Sequence, residues 1–167
     1  APNATVSGKA AAGQTYVVFG DHDFQPQINL ASLNGGNGLV LNGISADSYA
    51  ANDLGGAGDM NGDGYDDAFV AAWKTSKGAD SEAGAVYVLF GKASFPAKLS
   101  LGDLTGATGF RLDGAAEGDR AGQAVDSAGD VNGDGRGDLV IGAPFAASQR
   151  GMAYVVFGAS VLPPTLS

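Results

Sequence analysis

Asp130-Val131-Asn132-Gly133-Asp134-Gly135-Arg136-Gly137-Asp138 is an acidic nonapeptide with a second copy 71 residues earlier, Asp59-Met60-Asn61-Gly62-Asp63-Gly64-Tyr65-Asp66-Asp67. Both read D-x-N-x-D-G-x-x-D. Side-chain oxygens at the first, third, fifth and ninth positions, with a main-chain carbonyl at the seventh, can wrap a hard cation. Glycine at the sixth allows the sharp turn that gathers them. So much negative charge within nine residues is costly unless a cation neutralises it. Two calcium sites are therefore expected.

The spacing excludes two familiar calcium motifs. An EF-hand needs a bidentate Glu at the twelfth position, between two helices. That position is Val70 in one copy and Ile141 in the other, each in a short apolar run that reads as a strand. The G-G-x-G-x-D repeat of calcium-binding β-helices is one residue out of step, because Gly55-Gly56-Ala57-Gly58 is followed by Asp59 and Met60. Hairpin turns rich in Asn, Asp and Gly that need no metal are the plain alternative. Duplication in register with a longer repeat argues against it.

The chain has 167 residues, enough for one domain with a real core. Its 28 glycines and 44% apolar residues, with no cysteine, exclude both a disordered tail and a disulfide scaffold. The net charge is −9, and seven of the 18 acidic residues (59, 63, 66, 67, 130, 134 and 138) lie in the two loops. An acidic surface argues against a nucleic-acid partner and an anionic membrane surface. No apolar run approaches membrane-spanning length, so membrane insertion is not expected. Millimolar calcium outside cells suits loops of this kind, which predicts a secreted setting, extracellular or at the cell surface.

The 71-residue register extends well beyond the loops. Tyr16-Val17-Val18-Phe19-Gly20 matches Tyr87-Val88-Leu89-Phe90-Gly91, and Phe24 matches Phe95. Leu30, Leu33, Gly35, Gly38, Leu41 and Gly43 fall on Leu101, Leu104, Gly106, Gly109, Leu112 and Gly114. A third strand copy, Tyr154-Val155-Val156-Phe157-Gly158, follows 67 residues after the second. The connection through Lys74–Gly84 is longer than that through Phe145–Gly151, as expected of an exposed loop. Each repeat reads as four strands. The first precedes the acidic loop (Tyr49–Gly56, Arg120–Ser127) and the second follows it (Ala68–Ala72, Leu139–Ala143). The third is the Y-V-V-F run and the fourth is short (Leu39–Leu41, Phe110–Leu112). Successive apolar residues in these runs predict sheets buried on both faces, which radially stacked blades provide.

Ala128-Gly129-Asp130 through Asp138-Leu139-Val140-Ile141-Gly142-Ala143-Pro144, with Tyr154–Gly158 after it, resembles the FG-GAP repeat of integrin α-subunit propellers and many bacterial extracellular proteins. The resemblance covers nearly the whole chain. It implies an all-β fold: β-propeller blades of four antiparallel strands, with the calcium loop joining the first and second strands of a blade. It assigns one Ca2+ to Asp59, Asn61, Asp63, the Tyr65 carbonyl and Asp67. It assigns the other to Asp130, Asn132, Asp134, the Arg136 carbonyl and Asp138. The middle repeat departs from the pattern, with Ala71-Ala72-Trp73 in place of Gly-Ala-Pro and a weak match around Asn52-Asp53-Leu54.

In this register Ala1-Pro2 reads as the tail of another G-A-P box. Residues 1–45 are expected to hold the third and fourth strands of a first blade. Residues 46–114 are expected to form a complete blade with the first calcium loop. Residues 115–167 are expected to form a third blade lacking its last strand, with the second loop. About two and a half repeats make an incomplete ring, so the remaining blades of a larger propeller, or self-association through open blade edges, are expected.

Other residues invite functional readings. Arg136-Gly137-Asp138 spells an adhesion tripeptide, but a ninth-position ligand turns Asp138 inward. His22, between Asp21 and Asp23, reads as an exposed turn residue. Asn3-Ala4-Thr5 is a glycosylation sequon, meaningful only in a secretory eukaryote. Trp73, Tyr49 and Tyr65 read as packing residues at blade junctions more than as a binding surface. No cysteine, G-x-S-x-G elbow or His-bearing metal motif supports catalysis, and Glu117 with Asp119 reads as solvated charge in a turn. The expectation is no enzyme, but a calcium-stabilised propeller segment serving adhesion or contact with a protein or glycan ligand. An accessory module of a larger secreted enzyme and a carbohydrate-binding propeller are the alternatives.

Overall fold

A computed structural model describes residues 1–23 and 26–166; Phe24, matched to Phe95 in the repeat, lies outside them. Among the described residues are eleven strands: β1 (Gln14–Val18), β2 (Gly38–Asn42), β3 (Leu54–Gly58), β4 (Asp67–Ala72), β5 (Ala85–Leu89), β6 (Lys98–Ser100), β7 (Gly109–Asp113), β8 (Ala124–Gly129), β9 (Asp138–Ala143), β10 (Met152–Val156) and β11 (Thr165–Leu166). Val, Tyr and Leu favour extended backbone in the Y-V-V-F runs, while positive-φ glycines punctuate the turns. Among the described residues helical structure is confined to short turns, such as those at Leu30–Ser32 and Leu101–Asp103. In the segment Ala146–Gln149, Ala147 and Ser148 lie at φ 53° and 59°.

The strands form three sheets, none closed into a barrel. In the middle one, β3, β4, β5 and β7 pair antiparallel in that order. β8, β9 and β10 repeat its first three strands, and β1 with β2 repeats its last two. The register is copied as well, with Tyr16 opposite Val40 in one sheet and Tyr87 opposite Arg111 in the next. The fold is a partial β-propeller.

The structure adds two strands. β6 leaves the middle repeat and pairs in parallel with β2, the outer strand of the preceding sheet. β11 does the same to β7. Each outer strand is therefore gripped by an extended segment from the next repeat, and the four-stranded middle blade gains a fifth, parallel member. A strand of two or three residues carries no periodicity that marks it in a sequence.

Apolar side chains fill the spaces between sheets. Leu39 and Leu41 of β2 pack against Val70, Ala72, Ala85, Tyr87 and Leu89 of the middle sheet. On its other face, Phe69, Val86, Val88, Phe110 and Leu112 meet Val125, Leu139 and Ile141. Asp53, in the stretch that departs from the repeat, accepts the Val125 N–H across this junction at 2.8 Å.

Two expectations are corrected. The first strands do not begin at Tyr49 and Arg120 but at Leu54 and Ala124, because Tyr49 (φ 53°), Ala51 (φ 73°) and Arg120 (φ 54°) adopt left-handed turns. Those turns give their N–H groups to neighbouring loops and strands: Tyr49 to the Ala11 carbonyl, Ala51 to Ala71, Arg120 to Glu82. β10 is also not buried on both faces. Met152 and Val155 are about half exposed, whereas every residue of β5 is buried. Among the described residues, no outer strand pairs with β10 and no further sheet packs on its far face.

Phe110 is fully buried at the junction of the middle and last sheets. Phe110→Ala is expected to cost about 3–5 kcal/mol in urea denaturation. Val161→Ala, at an exposed position, should stay within about 0.5 kcal/mol of the parent.

Candidate metal centres

Each acidic loop joins the first strand of a sheet to the second, β3 to β4 and β8 to β9. In the first, Asp59 Oδ1 accepts the N–H groups of Gly62 (2.7 Å) and Asp63 (3.1 Å), and Oδ2 accepts that of Gly64 (2.8 Å). Asn61 Oδ1 accepts from Asp63 N–H and Asp63 Oδ1 from Tyr65 N–H, both at 2.9 Å. The second loop repeats the pattern around Asp130, with Gly133, Asp134 and Gly135 donating at 2.7, 3.0 and 2.8 Å. Asn132 and Asp134 again accept from the residues two positions on. The sixth-position glycines Gly64 and Gly135 lie at φ 89° and 85°, where an L side chain is strained.

The ninth positions differ in kind from the rest. Asp67 and Asp138 have relative exposures of 2% and 0%. Asp67 accepts Met60 N–H on Oδ2 (2.9 Å) and Gly91 N–H on Oδ1 (2.8 Å). Asp138 does likewise with Val131 (2.8 Å) and Gly158 (2.9 Å). Register shifts between Gly56 and Gly58, and between Ser127 and Gly129, lie opposite these residues at the mouths of the loops.

The buried carboxylate of the first loop is incompletely compensated. Burial pushes the Asp67 carboxyl up to about 6, against the lowering effect of its two N–H donors, and the charges of Asp63 and Asp59 push the same way. At the exposed Asp130, N–H donation led by Gly135 holds the carboxyl below its ordinary value. The donors fit a hard divalent cation: carboxylate, amide and carbonyl oxygens, with no nitrogen or sulfur ligand. The side chains as they stand are not a finished cage. Among the described residues no three acidic or histidine side chains converge on one point. The Asn61 amide nitrogen lies 2.9 Å from Asp63 Oδ2, and that of Asn132 lies 3.1 Å from Asp134 Oδ2. Ligation by either Asn therefore requires its amide to turn. The candidate carbonyls of Tyr65 and Arg136 lie in the same two loops.

Two site residues had no role in the sequence reading: Gly91 and Gly158, which close each third strand. Their N–H groups anchor the ninth-position carboxylates. A Cβ on Gly91 would fall 2.4 Å from the Asp66 carbonyl oxygen, and one on Gly158 2.5 Å from that of Met60. Their signal was the recurrent Phe-Gly pair itself.

The remaining candidates fall into place. Asp138 is fully buried, so Arg136-Gly137-Asp138 does not present an adhesion tripeptide. Tyr49 stacks on Trp73 with centroids 6.4 Å apart, and Arg120 lies over both Trp73 (4.9 Å) and Phe145 (4.7 Å). Glu82 pairs with Arg120 at 2.7 Å. This cluster spans the junction of the middle and last sheets, whereas Tyr65 is exposed beside Gly91. His22 is exposed and contacts Asp23. Asp119 is buried rather than solvated, accepting Ala116 N–H at 3.0 Å.

Residues 121–156, which hold the second loop and the strands around it, match the FG-GAP repeat model. That stretch is an FG-GAP repeat. Integrin alpha-PS2 of Drosophila melanogaster is 33% identical over 110 residues, 63% of this chain. The chain spans 7% of that relative's length. Among its described residues no helix is long and apolar enough to cross a membrane.

Asp138→Ala strands the buried Gly158 N–H and the part-buried Val131 N–H, and a loss of about 2 kcal/mol is expected in denaturant unfolding. Asp67 gives a pH signature in chelator. The folded carboxyl holds its proton up to about 6 while the unfolded one releases it near 3.8. Its contribution is therefore fully present below the unfolded value and lost as pH rises through the folded one. Urea midpoints between pH 4 and 7 should show this slope in the parent and its flattening in Asp67→Asn.

Proposed function

We propose that this FG-GAP chain is a non-catalytic, calcium-stabilised propeller segment of an extracellular or cell-surface protein, serving adhesion or protein–protein contact. Ca2+ is held in each loop by the first-, third-, fifth- and ninth-position side chains and the seventh-position carbonyl. Its role is structural. The observation that carries this reading is the buried ninth-position carboxylate, present in both loops. It ties the loop to the end of the third strand, and further acids in the same loop add negative charge that a divalent cation would neutralise. Likeness to an integrin α chain supports a contact role and a cell-surface setting, and the exposed outer edge of β10 offers a place for further blades or a second chain to join.

A sugar-binding reading finds less support. The Tyr49 and Trp73 rings carry Lys74 at 5.2 and 5.3 Å, and Trp73 carries Arg120 as well. Cations already occupy the faces on which a pyranose ring would stack.

Since binding energy at such loops appears as folding stability, Ca2+ at a hundredfold excess over its dissociation constant adds about 2.7 kcal/mol per site. Chelation should therefore lower the melting temperature by on the order of 10 °C, with added Ca2+ restoring it in scanning calorimetry. An identical melting curve with and without chelator would remove the calcium assignment. Asp130→Ala should halve the Ca2+ stoichiometry seen by equilibrium dialysis.

A further inference from the structure

The two loops touch. Gly137 N–H donates to the main-chain carbonyl of Asp59 at 2.9 Å, so the eighth residue of the second loop grips the first residue of the first. The approach requires glycine: a Cβ on Gly137 would stand 2.4 Å from the Ala57 carbonyl oxygen and 3.2 Å from Gly58 Cα. The corresponding residue of the first loop is Asp66, which has no such constraint. Arg136 reaches further across, where a Cβ on Gly62 would lie 3.1 Å from its Nε and 3.3 Å from its Nη2. That Nε is buried without a hydrogen-bond partner, so packing against Gly62 sets the position of the guanidinium.

The Arg136–Gly137 peptide therefore faces both loops. Its carbonyl is the seventh-position ligand in the reading above. Its N–H holds Asp59, whose carboxylate orients the N–H groups of Gly62, Asp63 and Gly64. A peptide unit is planar, so fixing its oxygen fixes the direction of its N–H. Ligation of the carbonyl also polarises the amide and strengthens it as a donor. Resting on the assignment of both loops as cation sites, we infer that the Arg136–Gly137 peptide couples them, so that filling the second loop raises the affinity of the first. Arg136 and Gly137 thereby act as positioning residues for a site in the neighbouring blade. Linkage makes the effect reciprocal.

The first loop carries its own reporter. Tyr65 stands at the seventh position there, while the second loop has Arg136, so Tb3+ luminescence excited through Tyr65 reads the first loop. Loss of the signal in Tyr65→Leu, which retains the main-chain carbonyl, identifies it. In the full chain, Asp134→Ala is expected to weaken Tyr65-sensitised Tb3+ binding about fivefold or more. Asp63→Ala should lower the Ca2+ affinity of the second loop by the same factor in isothermal titration calorimetry. Unchanged affinities in both variants would overturn the coupling while leaving two independent sites. Should a variant fail to fold, the parent chain still decides. Coupled loops give a Ca2+ isotherm with a Hill coefficient above one, and a non-cooperative isotherm counts against the relay. A parent chain with neither Tb3+ signal nor Ca2+ heat removes the sites themselves, and the coupling with them.

Discussion

Two buried carboxylates hold this structure in register. Asp67 and Asp138 each bind the N–H of the second loop residue with one oxygen and the N–H of the glycine closing the third strand with the other. One side chain thereby joins the loop, the opening of the second strand and the far end of the third. Burying an ionised carboxylate costs several kcal/mol unless it is well compensated. Two N–H donors do not fully compensate Asp67, whose carboxyl remains raised to about 6.

From that anchor the architecture propagates by close backbone approach. The left-handed turns at Tyr49 and Arg120 donate their N–H groups to the Ala11 and Glu82 carbonyls. The outer strands β2 and β7 begin with Gly38 and Gly109, where a Cβ would fall 2.3 and 2.1 Å from the carbonyl oxygens of Val17 and Val88. Each outer strand is then flanked by a parallel segment of the next repeat. Neighbouring sheets are thus linked by strand pairing at their outer edges, by apolar packing between them, and by the contact of Gly137 with Asp59. This distribution of contacts is what makes a nearest-neighbour array, and it explains why one loop is placed to sense its neighbour.

Much of this was legible from residues alone because the repeat supplied an internal control. The second, third and fourth strands fell within a few residues of their expected positions, since Val, Leu and Phe runs bounded by glycine leave the chain little choice. The starts of the first strands were not legible. Tyr49 and Arg120 belong to types that rarely take positive φ, and only the carbonyls opposite them stabilise that conformation. The buried role of Gly91 and Gly158 was hidden for a similar reason. A Phe-Gly pair reads as strand and turn, and nothing local shows that a carboxylate 24 or 20 residues away waits for its N–H.

The sequence by itself determined that this chain is a tandem array of short strands with acidic, glycine-punctuated loops between them, because apolar periodicity and the spacing of acidic residues are properties of nearby residues. Tertiary structure alone decided which carboxylates are buried, which edge of β10 stays open, and that β6 and β11 pair with the sheet before their own. It also decided that Arg136 and Gly137 lie against the other loop. Those outcomes depend on how one blade sits upon the next, and that distance is written in no single segment.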